Sequence, residues 1–177
     1  EEVVLPNGER FGACPEGTAL RGYPMLRDAG TSYCATVMEP SVRHGRFVSF
    51  YPNGKLLASG AYEQGNPDGL WATYHENGVV LSQGTYFRGV REGAWRFARA
   101  DGKPVLEETF SGGVRVEYTE YDYEKGVLKA YESFVSPPGK EPVSQGPAGR
   151  TLPDGDQLSG RYVDGKGEGQ WVEKNAK

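Results

Sequence analysis

The chain is short of the residues that metal and nucleophilic chemistry draw on, with two histidines and two cysteines among 177 residues. His44 and His75 stand at no metal-ligand spacing from a cysteine or carboxylate, and no pattern of a nucleophile with its base, nor a ligand cluster, is visible in the sequence, which leaves open only residues that meet in space. The expectation is therefore no catalytic residues, no metal, no cofactor and no enzymatic activity. Positive charge is scarce too: 20 Lys and Arg against 24 Asp and Glu give a net charge of -4. A broad polyphosphate-binding surface needs clustered base to release counterions, so nucleic acid is not expected as a partner. No apolar run approaches the roughly 20 residues of a helical membrane span. The chain starts at Glu1 rather than methionine, which leaves a cleaved signal or lipid-anchor segment open.

What is abundant is glycine, at 26 positions about twice the usual share, together with 12% aromatic residues. Tyr, Val, Phe and Thr alternate with polar residues over short spans, which is strand patterning, and no long stretch has helical period. The glycines recur every 24 residues. HGRFVSFYPNGKLLASGAYEQGNP begins at His44, DGLWATYHENGVVLSQGTYFRGVR at Asp68 and EGAWRFARADGKPVLEETFSGGVR at Glu92. Gly45, Gly69 and Gly93 fall in phase, as do Gly54, Gly78 and Gly102, and the rings Tyr62, Tyr86 and Phe110. A decayed copy, VEYTEYDYEKGVLKAYESF, follows, then a Pro/Gly-rich interruption and a further copy and a half containing Gly146, Tyr162 and Trp171. The reading divides the chain into a loop-rich segment 1–42, three regular repeats 43–113, a degenerate repeat 114–135, a loop 136–145 and a terminal repeat and half repeat 146–177. The fold class expected is all-β, an elongated antiparallel meander of about five 24-residue hairpin repeats.

Each copy carries an Asn-Gly or Asp-Gly pair, the signal for a two-residue turn with positive φ at both positions. With Asn77-Gly78 as that loop, Glu76 faces Val79, Trp71 faces Gly84 and Tyr86 faces Gly69. The same count sets Phe47 against Gly60, Tyr62 against Gly45, Phe110 against Gly93 and Trp95 against Glu108, where the other copies have glycine. The expectation is that each ring covers the bare backbone of the glycine it faces.

Cys14 and Cys34 lie outside the repeats in a Gly- and Pro-rich stretch. With nothing nearby to complete a metal site, a disulfide is favoured over unrelated buried thiols, and an oxidising compartment would follow: periplasm, outer-membrane lipoprotein or cell surface. Arg88, Arg91, Arg96, Arg99 and Lys103 form the densest basic group, a candidate contact for an anion or a partner, or else charge that keeps strands soluble. The acidic stretch from Glu107 to Glu124 reads as the solvated face of a strand whose tyrosines point inward. His44 takes the place held by Asp68 and Glu92 in other copies, a polar loop role.

The phrase G-x-W/F, x-N/D-G and G-x-Y/F-x-x-G resembles the MORN repeat, with spacing similar to the bacterial MORN-repeat-variant group labelled YwqK-like antitoxin components. The resemblance covers residues 43–113 well, 114–135 weakly and 146–173 fairly, and leaves out the N-terminal two-cysteine segment. It implies a hairpin array for assembly, partner binding or lipid association, with no catalytic positions. The leading expectation is a non-enzymatic scaffold of a bacterial cell envelope, contacting a protein partner or a second copy through a sheet edge or the aromatic face. The alternatives are a glycan or anionic-lipid module centred on the basic third repeat, and an antitoxin-type partner-binding protein.

Overall fold

The computed structural model describes residues 3–4, 10–11, 14–21, 31–36, 38, 41–122, 125, 127–135 and 143–174. Gly126 and most of the Pro/Gly-rich loop, residues 136–142, lie outside them. The described residues are strands and turns without a helix. β1 (Val3–Val4) pairs with β2 (Arg10–Phe11). The chain divides into two units, residues 1–90 with 100–102, and residues 91–99 with 103–177.

In the first unit β3 (Thr18–Arg21), β4 (Thr31–Thr36), β5 (Arg43–Phe50), β6 (Leu56–Glu63), β7 (Asn66–Tyr74) and β8 (Val80–Phe87) follow one another antiparallel in chain order. In the second the order is β9 (Val90–Ala98), β10 (Pro104–Ser111), β11 (Val114–Tyr121), β12 (Leu128–Val135), β13 (Val143–Thr151), β14 (Gln157–Val163) and β15 (Lys166–Lys174). The fold is an all-β open meander of hairpin repeats. The N-terminal segment departs from the loop expected: β3 and β4 extend the sheet, because TSYCAT holds the strand formers Thr31, Tyr33 and Thr36 and no Gly or Pro, despite its Gly- and Pro-rich surroundings.

The core of the first unit is small. Cys34, Val48 and Phe50 are fully buried, with Cys14 and Leu56 packed against them, and Cys14 is disulfide-bonded to Cys34 across a separation of 20 residues. Pro15 and Cys34 approach Gly45 so closely that a β-carbon there would sit 2.7 Å from the proline ring.

The register is as counted: Trp71 pairs with Gly84, Gly69 with Tyr86, Phe47 with Gly60, Gly45 with Tyr62, Phe110 with Gly93 and Trp95 with Glu108. The turn that sets it is different. Gly78 N–H donates to His75 C=O at 2.8 Å and His75 N–H to Val79 C=O at 2.8 Å, so the loop has three residues and only Gly78 is left-handed, at φ 87°. The extra loop residue shifts the pairing by one, and a bulge between β7 and β8, where the partner steps from Ser82 to Val80, shifts it back. Asn is chosen here for its side chain, not its φ: Asn77 Oδ1 accepts from Val79 N–H at 3.1 Å, as Asn53 does from Lys55 and Asp154 from Asp156.

The two-residue turns with both φ positive lie at the other ends of the strands, at Gln64-Gly65, Arg88-Gly89, Gly112-Gly113 and Asp164-Gly165. Each is capped by the side chain just before a repeat's first glycine. His44 Nδ1, Asp68 Oδ1, Glu92 Oε2 and Gln145 Oε1 accept from the backbone of Gln64, Arg88, Gly112 and Asp164 at 2.7–3.3 Å. That is the position His44 shares with the acids, and it is structural.

Candidate functional site

Side chains alternate across the strands, so the paired positions Phe47, Gly60, Trp71 and Gly84 form a row on one face of the first unit. The rings do not all lie on the glycines they face. A β-carbon at Gly60 would collide with Cγ, Cδ2 and Cε2 of Trp71, so the indole leans over the preceding strand, held by its Nε1–H donated to Ala61 C=O at 2.9 Å. Nothing lies within 4 Å of a β-carbon at Gly69 or Gly93, so Tyr86 and Phe110 do not cover them. Gly69 is needed for its backbone, left-handed at φ 72° where β7 bulges against β6. Phe47, Tyr62, Trp71 and Tyr86 touch in sequence at centroid distances of 5.1–6.0 Å. Arg43 caps the end of this row, its guanidinium 4.9 Å from the Tyr33 ring and 5.1 Å from that of Tyr62.

In the second unit carboxylates replace the glycines. The row runs Trp95, Glu108, Tyr118, Glu132, Ala148, Gly160 through successive strand pairs. Glu108, only 8% exposed, receives Arg115 Nη1 at 2.8 Å and faces Arg91 Nη1 at 3.6 Å. Both guanidiniums also stand over rings, Arg91 over Trp95 at 4.6 Å and Arg115 over Tyr118 at 5.2 Å. Arg43, Arg91 and Arg115 occupy one repeat position, 48 and 24 residues apart, a period the glycines and rings overshadowed in the sequence.

Glu132 is treated differently. Its bond among the described residues comes from the Tyr118 hydroxyl at 3.4 Å. Burial, then the charge of Glu132 and this hydrogen bond, raise the Tyr118 pKa. Beside it the row is broken: Ala148 stands where other copies have Phe47, Trp71, Trp95 and Trp171, and it is 3% exposed. The missing ring leaves a hollow of about 320 Å³, floored by Ala130 and Ala148 and walled by Tyr118, Tyr162 and Trp171. Arg150 stands at its edge, opposite Ala130 on one side and Leu158 on the other. Lining up GPAGRT with GLWATY would have exposed the vacancy in the sequence.

Residues 43–64 and 67–87 match the MORN repeat variant. The two matched copies are the hairpins that keep glycine opposite every ring; the copies carrying Glu108, Glu132 and Ala148 lie beyond the match. No curated protein matches the chain. Among solved structures it is similar to the Glycosylation Associate Protein (Gap123) complex from Streptococcus agalactiae, at 14% identity over 65% of this chain, with a TM-score of 0.35. The chain spans 20% of that one, and a likeness so slight carries no argument.

Within the second unit, the basic residues singled out in the sequence are not gathered into one patch. Arg88 belongs to the first unit, its guanidinium over Phe87 at 5.1 Å. Arg91 is committed to Glu108 and the rings, while Arg96 lies on the opposite face of β9, 75% exposed and 3.3 Å from Glu107. Arg99 and Lys103 close the β9–β10 turn, Arg99 N–H donating to Lys103 C=O at 2.9 Å. Alternation places neighbours in sequence on opposite faces, so density along the chain did not become density in space. Asp154, Asp156 and Glu173 bring one carboxylate oxygen each within 4.8 Å of one another, an arrangement able to ligate a cation at the β13–β14 turn. Cys14 and Cys34 are spent on their disulfide.

Proposed function

We propose that this protein is a non-enzymatic interaction module of a bacterial cell envelope, of the YwqK-like kind, whose repeat sheet is a scaffold for contact with another protein. The reading rests on one observation. Leu70 is 61% exposed and Phe87 56%, and they lie diagonally across the β7–β8 pair on the face away from the ring row. Large apolar side chains grouped in water mark a surface that a partner covers. The repeated residues themselves are consumed in turns, caps and ring contacts, which favours a surface over a reaction. The Cys14–Cys34 disulfide supports an extracytoplasmic location.

The test compares the full chain with Leu70→Asp/Phe87→Asp, by sedimentation for self-association and by cross-linked capture from bacterial envelope extract. A protein partner or a second copy held by the native surface and lost from the variant supports the reading; the same behaviour from both overturns it. Location is tested separately. Peptide maps around Cys14 and Cys34 from protein recovered from cells must differ before and after reduction, and identical maps remove the argument for export.

A further inference from the structure

We propose that the hollow beside Ala148 is a binding site for one pyranose ring of a carbohydrate. Trp171 supplies the platform. A β-carbon at Gly160 would collide with Cγ, Cδ2 and Cε2 of its indole, so the ring lies across the glycine backbone with its other face turned away from the strand. Tyr162 stands against it edge-on, with centroids 5.4 Å apart and planes at 73°. A flat aromatic surface takes the C–H face of a sugar by dispersion and loss of apolar contact with water.

The polar groups point to the same ligand. Glu107, Glu108 and Glu120 each have a cationic partner within 4 Å, whereas among the described residues Glu132 and Arg150 have none. They occupy alternate positions of a paired strand couple, Glu132 against Ala148 and Ala130 against Arg150, so both flank the alanine floor. A carboxylate that accepts and a guanidinium that donates suit a ligand rich in hydroxyls, which does both. Their charges cancel, which favours a neutral ligand over a phosphate or a cation. An aromatic side chain from a partner would also fill the gap, but would leave Glu132 with the long Tyr118 hydroxyl bond alone and offer the Arg150 guanidinium no acceptor at a freshly dried surface. The volume of about 320 Å³ falls at the small end of ligand sites.

The inference stands apart from the protein contact proposed above, since Leu70 and Phe87 belong to the other unit. The test titrates the full chain with maltose, cellobiose, lactose and chitobiose, read by tryptophan fluorescence and by saturation-transfer NMR on the sugar. At least one disaccharide binds saturably. Ala148→Trp, which restores the residue of the other copies and fills the hollow, weakens that binding at least tenfold. Glu132→Gln, close to isosteric, weakens it at least threefold and decides the matter if the tryptophan variant does not fold. Leu70→Asp/Phe87→Asp leaves it unchanged. No saturable binding of any of the four sugars overturns the proposal, as does binding that survives both hollow variants. N-acetyl-tryptophanamide binding there in place of every sugar also overturns it and assigns the hollow to a partner's side chain.

Discussion

Gly60 and Gly69 are both repeat glycines, and the structure assigns them opposite reasons for lacking a side chain. At Gly60 the obstacle is the Trp71 indole, with no unusual backbone angle; at Gly69 the space is open and the backbone is left-handed at φ 72°. Gly60→Ala must push the indole off β6. It then forfeits the Nε1–H bond to Ala61, worth about 0.5–1.5 kcal/mol, and loosens the stack on Phe47 and the edge contact with Tyr62, about 0.5–1.5 kcal/mol each. Overpacking of this size costs about 1–3 kcal/mol, so a total loss of roughly 2–4 kcal/mol is expected. In a Trp71→Ala background the obstacle is gone and only alanine's smaller entropy cost remains, so the same change becomes stabilising by about 0.5–1 kcal/mol. Gly69→Ala costs about 1–2 kcal/mol in left-handed strain with Trp71 present or absent. Urea unfolding of the four-member Gly60/Trp71 cycle, followed by circular dichroism so that Trp71 can be removed, measures the coupling. Equal costs for Gly60→Ala in the two backgrounds would refute the idea that the ring, rather than the strand, demands the glycine.

Two further outcomes follow from the second unit. Glu108→Gln keeps the shape but removes the charge between Arg91 and Arg115; because the arginine side chains are 38% and 46% exposed, about 1–2 kcal/mol is expected in urea unfolding, and a loss below about 0.3 kcal/mol would show the cluster to be solvated decoration. Burial, and then an acidic neighbour, raise the pKa values of Tyr118 and Tyr121 above 10.0. The folded chain thus holds their protons more tightly than the unfolded one, and the stability they contribute is complete below about pH 10 and lost as pH rises through the folded values. Tyr118→Phe flattens that alkaline decline in a series of thermal melts, and an unchanged slope would detach Tyr118 from it.

Period and register were legible because a 24-residue beat of glycines and rings is hard to write by accident, and strand alternation turns it directly into pairing. The pairing survived a wrong turn type because two one-residue irregularities, the three-residue loop and the bulge near Leu81, cancel. What could not be read was which neighbour a ring chooses. Trp71 has Gly84 on one side and Gly60 on the other, and its lean toward β6 depends on a carbonyl at Ala61 that no side-chain pattern advertises. The basic group misled for a related reason: Arg91 and Arg96 are five residues apart, an odd number, so strand alternation sends them to opposite faces.

The places where the phrase fails follow a physical order. Where glycine stays opposite a ring, as at Gly60 and Gly160, the ring can lie flat and the surface is finished within the sheet. Replacing that glycine by Glu108 lifts the neighbouring ring contacts into a charged cluster, which is tolerable because Arg91 and Arg115 reach it at 3.6 and 2.8 Å. A second replacement, Glu132, has no such arginine among the described residues, and the next ring position is Ala148 rather than tryptophan. A half-buried carboxylate beside a missing ring is a poor way to stabilise a sheet, since each departure removes packing or adds a desolvation cost, and among the described residues Glu132 has only the long bond from the Tyr118 hydroxyl to offset it. A ligand's hydroxyls would supply the hydrogen bonds that are missing, and this is why the hollow, rather than any intact copy of the repeat, is where binding is to be sought.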